Sequence, residues 1–353
     1  MGTLPLAVEH ARLGANLGDL GGWQVPLDYG DAASEQRAVR TAVGVIDWSA
    51  RGKIRVTGPD RLSYLDGVLT NDVKTLGPGR GMYAATLDHK GRVHGDAVVY
   101  DLGEEYLLST EPGADRILAH LNKLLVSDDV TLGDVTSQYV VLGVFGPHAH
   151  GQVSGILGPS LPAQDYEHRE ASSGGVAVRV ARSPQFGGEG FELWIPDGPS
   201  ARSLFRTLVD SGASPFGSLA AEALRIEAGR PRYPVDVNEE TIVLEARLDR
   251  AISMTKGCYV GQEVVSRATY IGHVNRLLVG LRIDTDTPPP SGAEVLRDDK
   301  PIGKVTSAAK SATFGRVVAL GYVRREWSEP GTSVSVRFGE VAPATVSALP
   351  FVP

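Results

Sequence analysis

The chain has one thiol, Cys258, set in Lys256-Gly257-Cys258-Tyr259-Val260-Gly261-Gln262-Glu263. This segment places an ammonium near the sulfur, and its two glycines let the backbone turn or approach another surface closely. A helix starting near Gly261 would add its N-terminal dipole to Lys256, and both favour the thiolate. A cysteine so placed receives a transferred group, touches a metal centre or senses oxidation. The competing reading is a small buried hydrophobe, which free cysteine often is.

Carboxylates supply the second kind of chemistry. In Arg92-Val93-His94-Gly95-Asp96-Ala97-Val98, alternation puts Asp96 on the face of Arg92, His94 and Val98. Asp is disfavoured inside strands, and a buried carboxylate needs a partner, a ligand or a proton. Tyr83, on the other arm of the same hairpin, can share that site, whereas pairing to Arg92 would make Asp96 an ordinary surface residue. Glu192, in Gly190-Phe191-Glu192-Leu193, leaves its strand opposite Phe191 and Leu193. There it either faces solvent or accepts two donors from an N–C–NH₂ edge such as that of a pterin. Arg225 and Glu227 read as helix-surface charges, with Glu222–Arg225 as an i, i+3 pair.

The elements that must hold these residues follow from periodicity. Lys53 to Thr57 alternates as a strand, and Leu62, Leu65 and Leu69 share a helical face. Met82 to Leu87 and Arg92 to Tyr100 flank the turn Asp88-His89-Lys90-Gly91. A strand at Tyr106 to Thr110 and an amphipathic helix from Ile117 to Leu125 complete the order of a ferredoxin-like split unit. The order recurs weakly from Tyr139 to about residue 228, ending in a helix that Ser218 would cap and Gly229 would stop. Past residue 275 only short apolar strands remain, the pattern of a small β-barrel. The predicted fold class is α+β: two ferredoxin-like-derived units plus a C-terminal barrel. Residues 1–52 with 137–250 form one discontinuous domain and 53–136 the second. The stretch 251–275 carries the cysteine segment, and 276–353 form the barrel.

Composition narrows the function. A net charge of −7 over 353 residues, without a Lys/Arg block, argues against direct nucleic-acid binding. His148-x-His150 lacks the further ligands of a metal site. The N-terminal stretch is never apolar long enough for a membrane or secretory segment, and one cysteine allows no intrachain disulfide. A cytoplasmic location without membrane partners is expected.

Nearly the whole chain resembles the aminomethyltransferase (T-protein) of glycine cleavage and its YgfZ-type relatives. The resemblance runs in order through Gly22-Trp23-Gln24-Val25-Pro26-Leu27-Asp28-Tyr29-Gly30, Ala38-Val39-Arg40-Thr41, Thr70-Asn71-Asp72-Val73, Gly190-Phe191-Glu192-Leu193 and Gly303-Lys304-Val305-Thr306-Ser307. It implies a ring of three domains around a central channel for tetrahydrofolate or a one-carbon derivative. By this resemblance Asp96 faces the folate N10 region, Tyr83 and Val98 line the pocket, Glu192 holds the pterin edge, and Arg225 joins the cofactor-binding set. The segment Lys256, Gly257, Cys258, Tyr259, Gly261, Gln262, Glu263 is similar to the YgfZ-type K-G-C-Y-x-G-Q-E. It implies an accessory role in assembling or repairing iron–sulfur clusters, with iron–sulfur client or assembly proteins as partners and tRNA-modifying enzymes among the clients. Cys258 and Asp96 are then the catalytic candidates, and Cys258 is expected at the channel mouth. The alternative is a folate-dependent aminomethyl- or methyltransferase. Departures from the T-protein pattern at Gly95, Thr110, Ala221 and Gln185 or Phe186 weigh against efficient aminomethyl transfer.

Overall fold

The computed structural model describes every residue except Met1, Asp197, Ile271 and Pro353. The second unit is an antiparallel sheet in the order Gly81–Leu87, Val93–Asp101, Tyr106–Thr110, Gly52–Thr57, Thr131–Asp134. Helices Arg61–Val68 and Ala114–Leu124 cover its apolar face. The predicted ferredoxin-like order is present, with one added strand. Leu65 and the C-cap Leu69 are buried as their spacing predicts, but Leu62, in the first turn of the helix, is 39% exposed.

The first unit repeats that order: His168–Ser173, Val176–Arg182, Gly190–Ile195, Val140–Phe145, Gly44–Asp47, Ser214–Pro215. Gly44–Asp47 sits against Val140–Phe145 where Thr131–Asp134 sits against Gly52–Thr57. This sheet therefore takes its penultimate strand from far upstream in the chain, with Ser214–Pro215 at the edge. Val140–Phe145 is buried along its whole length, since Gly198–Asp210 packs on one face and the aromatic cluster of Trp48, Phe186 and Phe216 lies on the other. A small sheet of Gly2–Thr3, Trp23–Asp28 and Asn16–Leu20 precedes it.

The barrel closes through Arg276–Ile283, Arg316–Arg324, Lys300–Ser311, Glu294–Arg297, Ser333–Arg337 and Val341–Ser347. Val279, Leu281, Val305, Val317 and Val336 fill its interior. Arg316–Arg324 does not alternate in burial, because its second face, Val318, Leu320 and Tyr322, packs outward against Ile226 and Phe351. That contact docks the barrel on helix Ser218–Glu227.

Two charges inside this helix complete the junction. Glu227 is fully buried and accepts from Arg40 Nη2 at 2.7 Å, Ser311 Oγ at 2.5 Å and Thr313 Oγ1 at 3.1 Å. Arg225 is 5% exposed and donates to Asp236 at 2.5 Å, to Ser307 at 2.6 Å and to the Arg230 carbonyl at 3.0 Å, besides pairing with Glu222. The surface reading of Arg225 and Glu227 is therefore corrected, although the Glu222–Arg225 pair is present. Ser218 does not cap the helix either: it is the first helical residue, and Gly217 N–H donates to Glu35 instead. Gly229, at φ +64°, ends the helix as predicted. Among the described residues no helix is long and apolar enough to cross a membrane.

Glu227→Ala leaves two hydroxyls without their acceptor and the Arg40 guanidinium without its counter-ion, with only the Phe186 and Leu224 carbonyls to accept from it. Breaking such a buried pair is expected to cost about 3–5 kcal/mol in urea unfolding. A loss below about 1 kcal/mol would mean that this junction is held by apolar contacts alone.

Candidate functional site

A cavity of about 360 Å³ opens where the second unit, the 246–250 segment and the barrel meet. Tyr83, Asp96 and Val98 form one wall, with Leu278 and Leu349 on the barrel side. Arg51, Glu111, Gln185, Arg230 and Pro231 also line a narrower recess of about 80 Å³ that runs toward Trp48 and Phe216. The two spaces therefore share a wall across the domain junction.

Asp96 and Tyr83 meet here because they project from neighbouring strands on one face, Tyr83 paired with Val98 and Ala85 with Asp96. The Tyr83 hydroxyl donates to Asp96 Oδ2. Burial pushes the Asp96 carboxyl up to about 6, a rise that the Tyr83 hydrogen bond partly opposes and Glu111 reinforces. Burial and the adjacent carboxylate hold the Tyr83 phenol well above its ordinary range, so it stays a donor. Arg92 makes no ion pair with Asp96; it is exposed, and the surface alternative for Asp96 falls.

Glu192 is 3% exposed, and its Oε1 accepts from Ser183 Oγ at 2.9 Å. Its Oε2 is buried without a partner, as are the Tyr100 hydroxyl and Trp194 Nε1 nearby. A carboxylate oxygen left this way in a buried setting is costly unless a ligand satisfies it. The ring N–H and amino donors of a pterin edge fit that requirement. Glu192 lines neither cavity directly, but it stands behind Arg51, whose Nη1 is 3.6 Å from Oε1.

Arg225 borders the recess, yet its guanidinium is committed to Asp236, Glu222 and Ser307. In this structure it acts as a structural cation at the edge of the recess. Thr110 and Gln185 line the larger cavity, Ala221 lines the recess, and Phe186 is buried among aromatic residues. Of Gln185 and Phe186, only Gln185 thus reaches both spaces. Gly95 has a steric cause: a Cβ there would come within 2.5 Å of Ile117 Cγ1. Sequence reasoning missed Arg51 and Glu111. Both follow strand ends in short connections, where no alternation marks a side chain as inward.

The cysteine segment lies in a different place from the one expected. Lys256 Nζ is buried and donates to the carbonyls of Asp66 at 2.6 Å, Leu69 at 2.9 Å and Asn71 at 2.8 Å. It also lies 3.1 Å from the Asp66 carboxylate. Tyr259 is buried among Leu87, Val93 and Val265, with the Lys256 ammonium 5.3 Å from its ring centroid. Gly261, at φ +85°, lets the chain pass where a Cβ would sit 2.6 Å from the Asp88 carbonyl. Helix Gln262–Tyr270 then begins, with exposed Glu263 paired to Arg267 at 3.1 Å. The segment is a clasp on the second unit. Gly257 and Cys258 are exposed, and no residue from 256 to 263 lines either cavity. The expectation of a channel-facing thiol is corrected, because Lys256 pulls the segment onto the C-terminal end of helix Arg61–Val68. The buried-hydrophobe reading of Cys258 is excluded as well.

Two outcomes follow for this segment. Iodoacetamide is expected to modify Cys258 in the native protein at a rate that a saturating reduced folate leaves unchanged; strong protection would return the thiol to the channel. Lys256→Met strands three carbonyls and is expected to lower stability by about 3 kcal/mol, with Cys258→Ser near neutral in the same unfolding assay.

Residues 6–256 match the GCVT N-terminal domain family, and residues 276–353 match the glycine cleavage T-protein C-terminal barrel domain. An aminomethyltransferase of Rubrobacter xylanophilus is 35% identical over 99% of this chain and 95% of its own length. One from Thermus thermophilus is 35% identical over 100% of this chain and 99% of its own. The crystal structure of the glycine cleavage system aminomethyltransferase T from Bartonella henselae superposes with a TM-score of 0.90 at 29% identity, covering 99% of this chain and 98% of that one. With both domain families in their proper order and relatives matched from end to end, the chain belongs to the glycine cleavage T-protein (aminomethyltransferase) family.

Proposed function

We propose that the chain binds a reduced folate in the cavity beside Asp96 and acts there as a folate-dependent one-carbon transferase of the aminomethyl or methyl class. The observation that carries this reading is the Tyr83–Asp96 pair on the cavity wall, with the unpartnered Glu192 oxygen behind the cavity-lining Arg51. Tetrahydrofolate supplies the ring and aryl nitrogens that carry a one-carbon unit. Asp96 accepts or returns a proton at Oδ, which a carboxyl titrating near 6 does readily at neutral pH. Tyr83 fixes its orientation through the hydrogen bond from its hydroxyl.

A second reading, an accessory role toward iron–sulfur proteins, is favoured by one observation: the exposed Cys258 in its YgfZ-like segment. The two readings separate in one assay. Transfer from an aminomethylated lipoyl carrier to tetrahydrofolate is expected for the first and should survive Cys258→Ser. Absence of transfer, together with loss of iron–sulfur enzyme activity in a Cys258→Ser strain, would favour the second.

Calorimetry is expected to give micromolar or tighter binding of tetrahydrofolate, about −8 kcal/mol, and Glu192→Ala is expected to lose about 1–3 kcal/mol of it. No heat with any reduced folate would remove the proposal. The pH response is signed. The folded-state pKa of Asp96 is raised above its ordinary 3.8 to about 6, so its contribution to stability is complete below the lower value and is lost as pH rises through the upper. Asp96→Asn is expected to remove this decline from the pH profile of urea unfolding while abolishing transfer. An unchanged profile would contradict the raised carboxyl.

A further inference from the structure

Arg51 lies between two carboxylates and over an indole. Its Nη2 donates to Glu111 Oε1 at 2.7 Å, Nη1 is 3.6 Å from Glu192 Oε1, and the guanidinium lies 4.4 Å from a Trp48 ring centroid. The side chain is 14% exposed and lines both cavities, whereas Glu192 lines neither. Arg51 is therefore the cavity-lining side chain that pairs with Glu192.

We propose that Arg51 is a specificity-determining residue for the pterin ring, donating to the oxygen at its 4-position beside Glu192. This rests on the folate reading above. A 4-oxopterin presents along one edge an acceptor (the 4-oxygen), a donor (N3–H) and a second donor (the 2-amino group). The protein presents the complementary sequence of donor, acceptor, acceptor: Arg51 Nη1, Glu192 Oε1, Glu192 Oε2. The order is fixed because Arg51 approaches Oε1, leaving Oε2 at the far end without a partner. A 4-amino analogue replaces the acceptor by a donor and removes the hydrogen from N3, so that donor meets donor and acceptor meets acceptor. Buried mismatches of this kind discriminate far better than shape does. Glu111 and the Trp48 face hold the guanidinium in plane, so that turning away from the mismatch would break contacts that the arginine already makes.

Calorimetry on the full chain with tetrahydrofolate and its 4-amino analogue tests this. The unaltered protein is expected to prefer the 4-oxo ligand by about tenfold or more. Arg51→Met is expected to narrow the ratio to about twofold by weakening the 4-oxo ligand alone, a selective effect that general loosening would not give. Where Arg51→Met fails a thermal-unfolding check, Arg51→Lys, which keeps the charge but not the planar fork, is expected to reduce the ratio to about threefold. Equal weakening of both ligands, an unchanged ratio in the folded variant, or no preference in the unaltered protein overturns the role of Arg51. Failure of both ligands to bind overturns the folate reading itself.

Discussion

Buried charge in helix Ser218–Glu227 is the constraint on which the rest of the molecule depends. Glu227 binds Arg40 from the first unit and hydroxyls of Ser311 and Thr313 from the barrel, while Arg225 binds Asp236 and Ser307. Neither charge can be left alone at this depth, so each fixes the position of what satisfies it. Apolar contact between Ile226 and the outer barrel face supplies driving force without direction, whereas the ion pairs supply direction. The cavity wall inherits that order: Leu278 comes from the docked barrel and Arg230 from the turn that Arg225 holds.

A second buried cation does the same on the other side. Lys256 secures the 253–261 stretch to the C-terminal end of helix Arg61–Val68, beside the hairpin that carries Asp96. The glycine positions around it mark close approach, with Gly261 against Asp88 and Gly91 against Val264. Segments that resemble catalytic motifs are thus also the ones that fix the second unit in place. The exposed thiol sits on the outer face of this clasp, away from the cavity.

Much of this was legible in the sequence because it is periodic. The Met82–Leu87 and Arg92–Tyr100 alternation locates the hairpin to within a residue or so at each end, and with it the Tyr83–Asp96 pairing. The recurrence of one strand order is present in both sheets, and the first barrel strand begins at Arg276. What periodicity cannot reveal is which charges are taken into a core by another part of the chain. Arg225 and Glu227 look like solvent-facing helix residues until the barrel covers them, and Lys256 looks like a neighbour of Cys258 until three carbonyls bind it. Arg51 and Glu111 lie in connections, where pattern is silent and only the junction of two sheets brings them together.

The proposed folate reading has a direction: it puts the pterin edge toward Glu192 and Arg51, and the one-carbon-bearing nitrogens toward Asp96 on the cavity wall. A crystal structure of the protein with 5-methyltetrahydrofolate tests this most directly. The account predicts the 2-amino group and N3 on the Glu192 carboxylate, with the methyl-bearing side of the ligand toward Asp96 and Tyr83. A folate bound in the reverse sense, or seated against the Lys256–Glu263 clasp with Asp96 untouched, would contradict it.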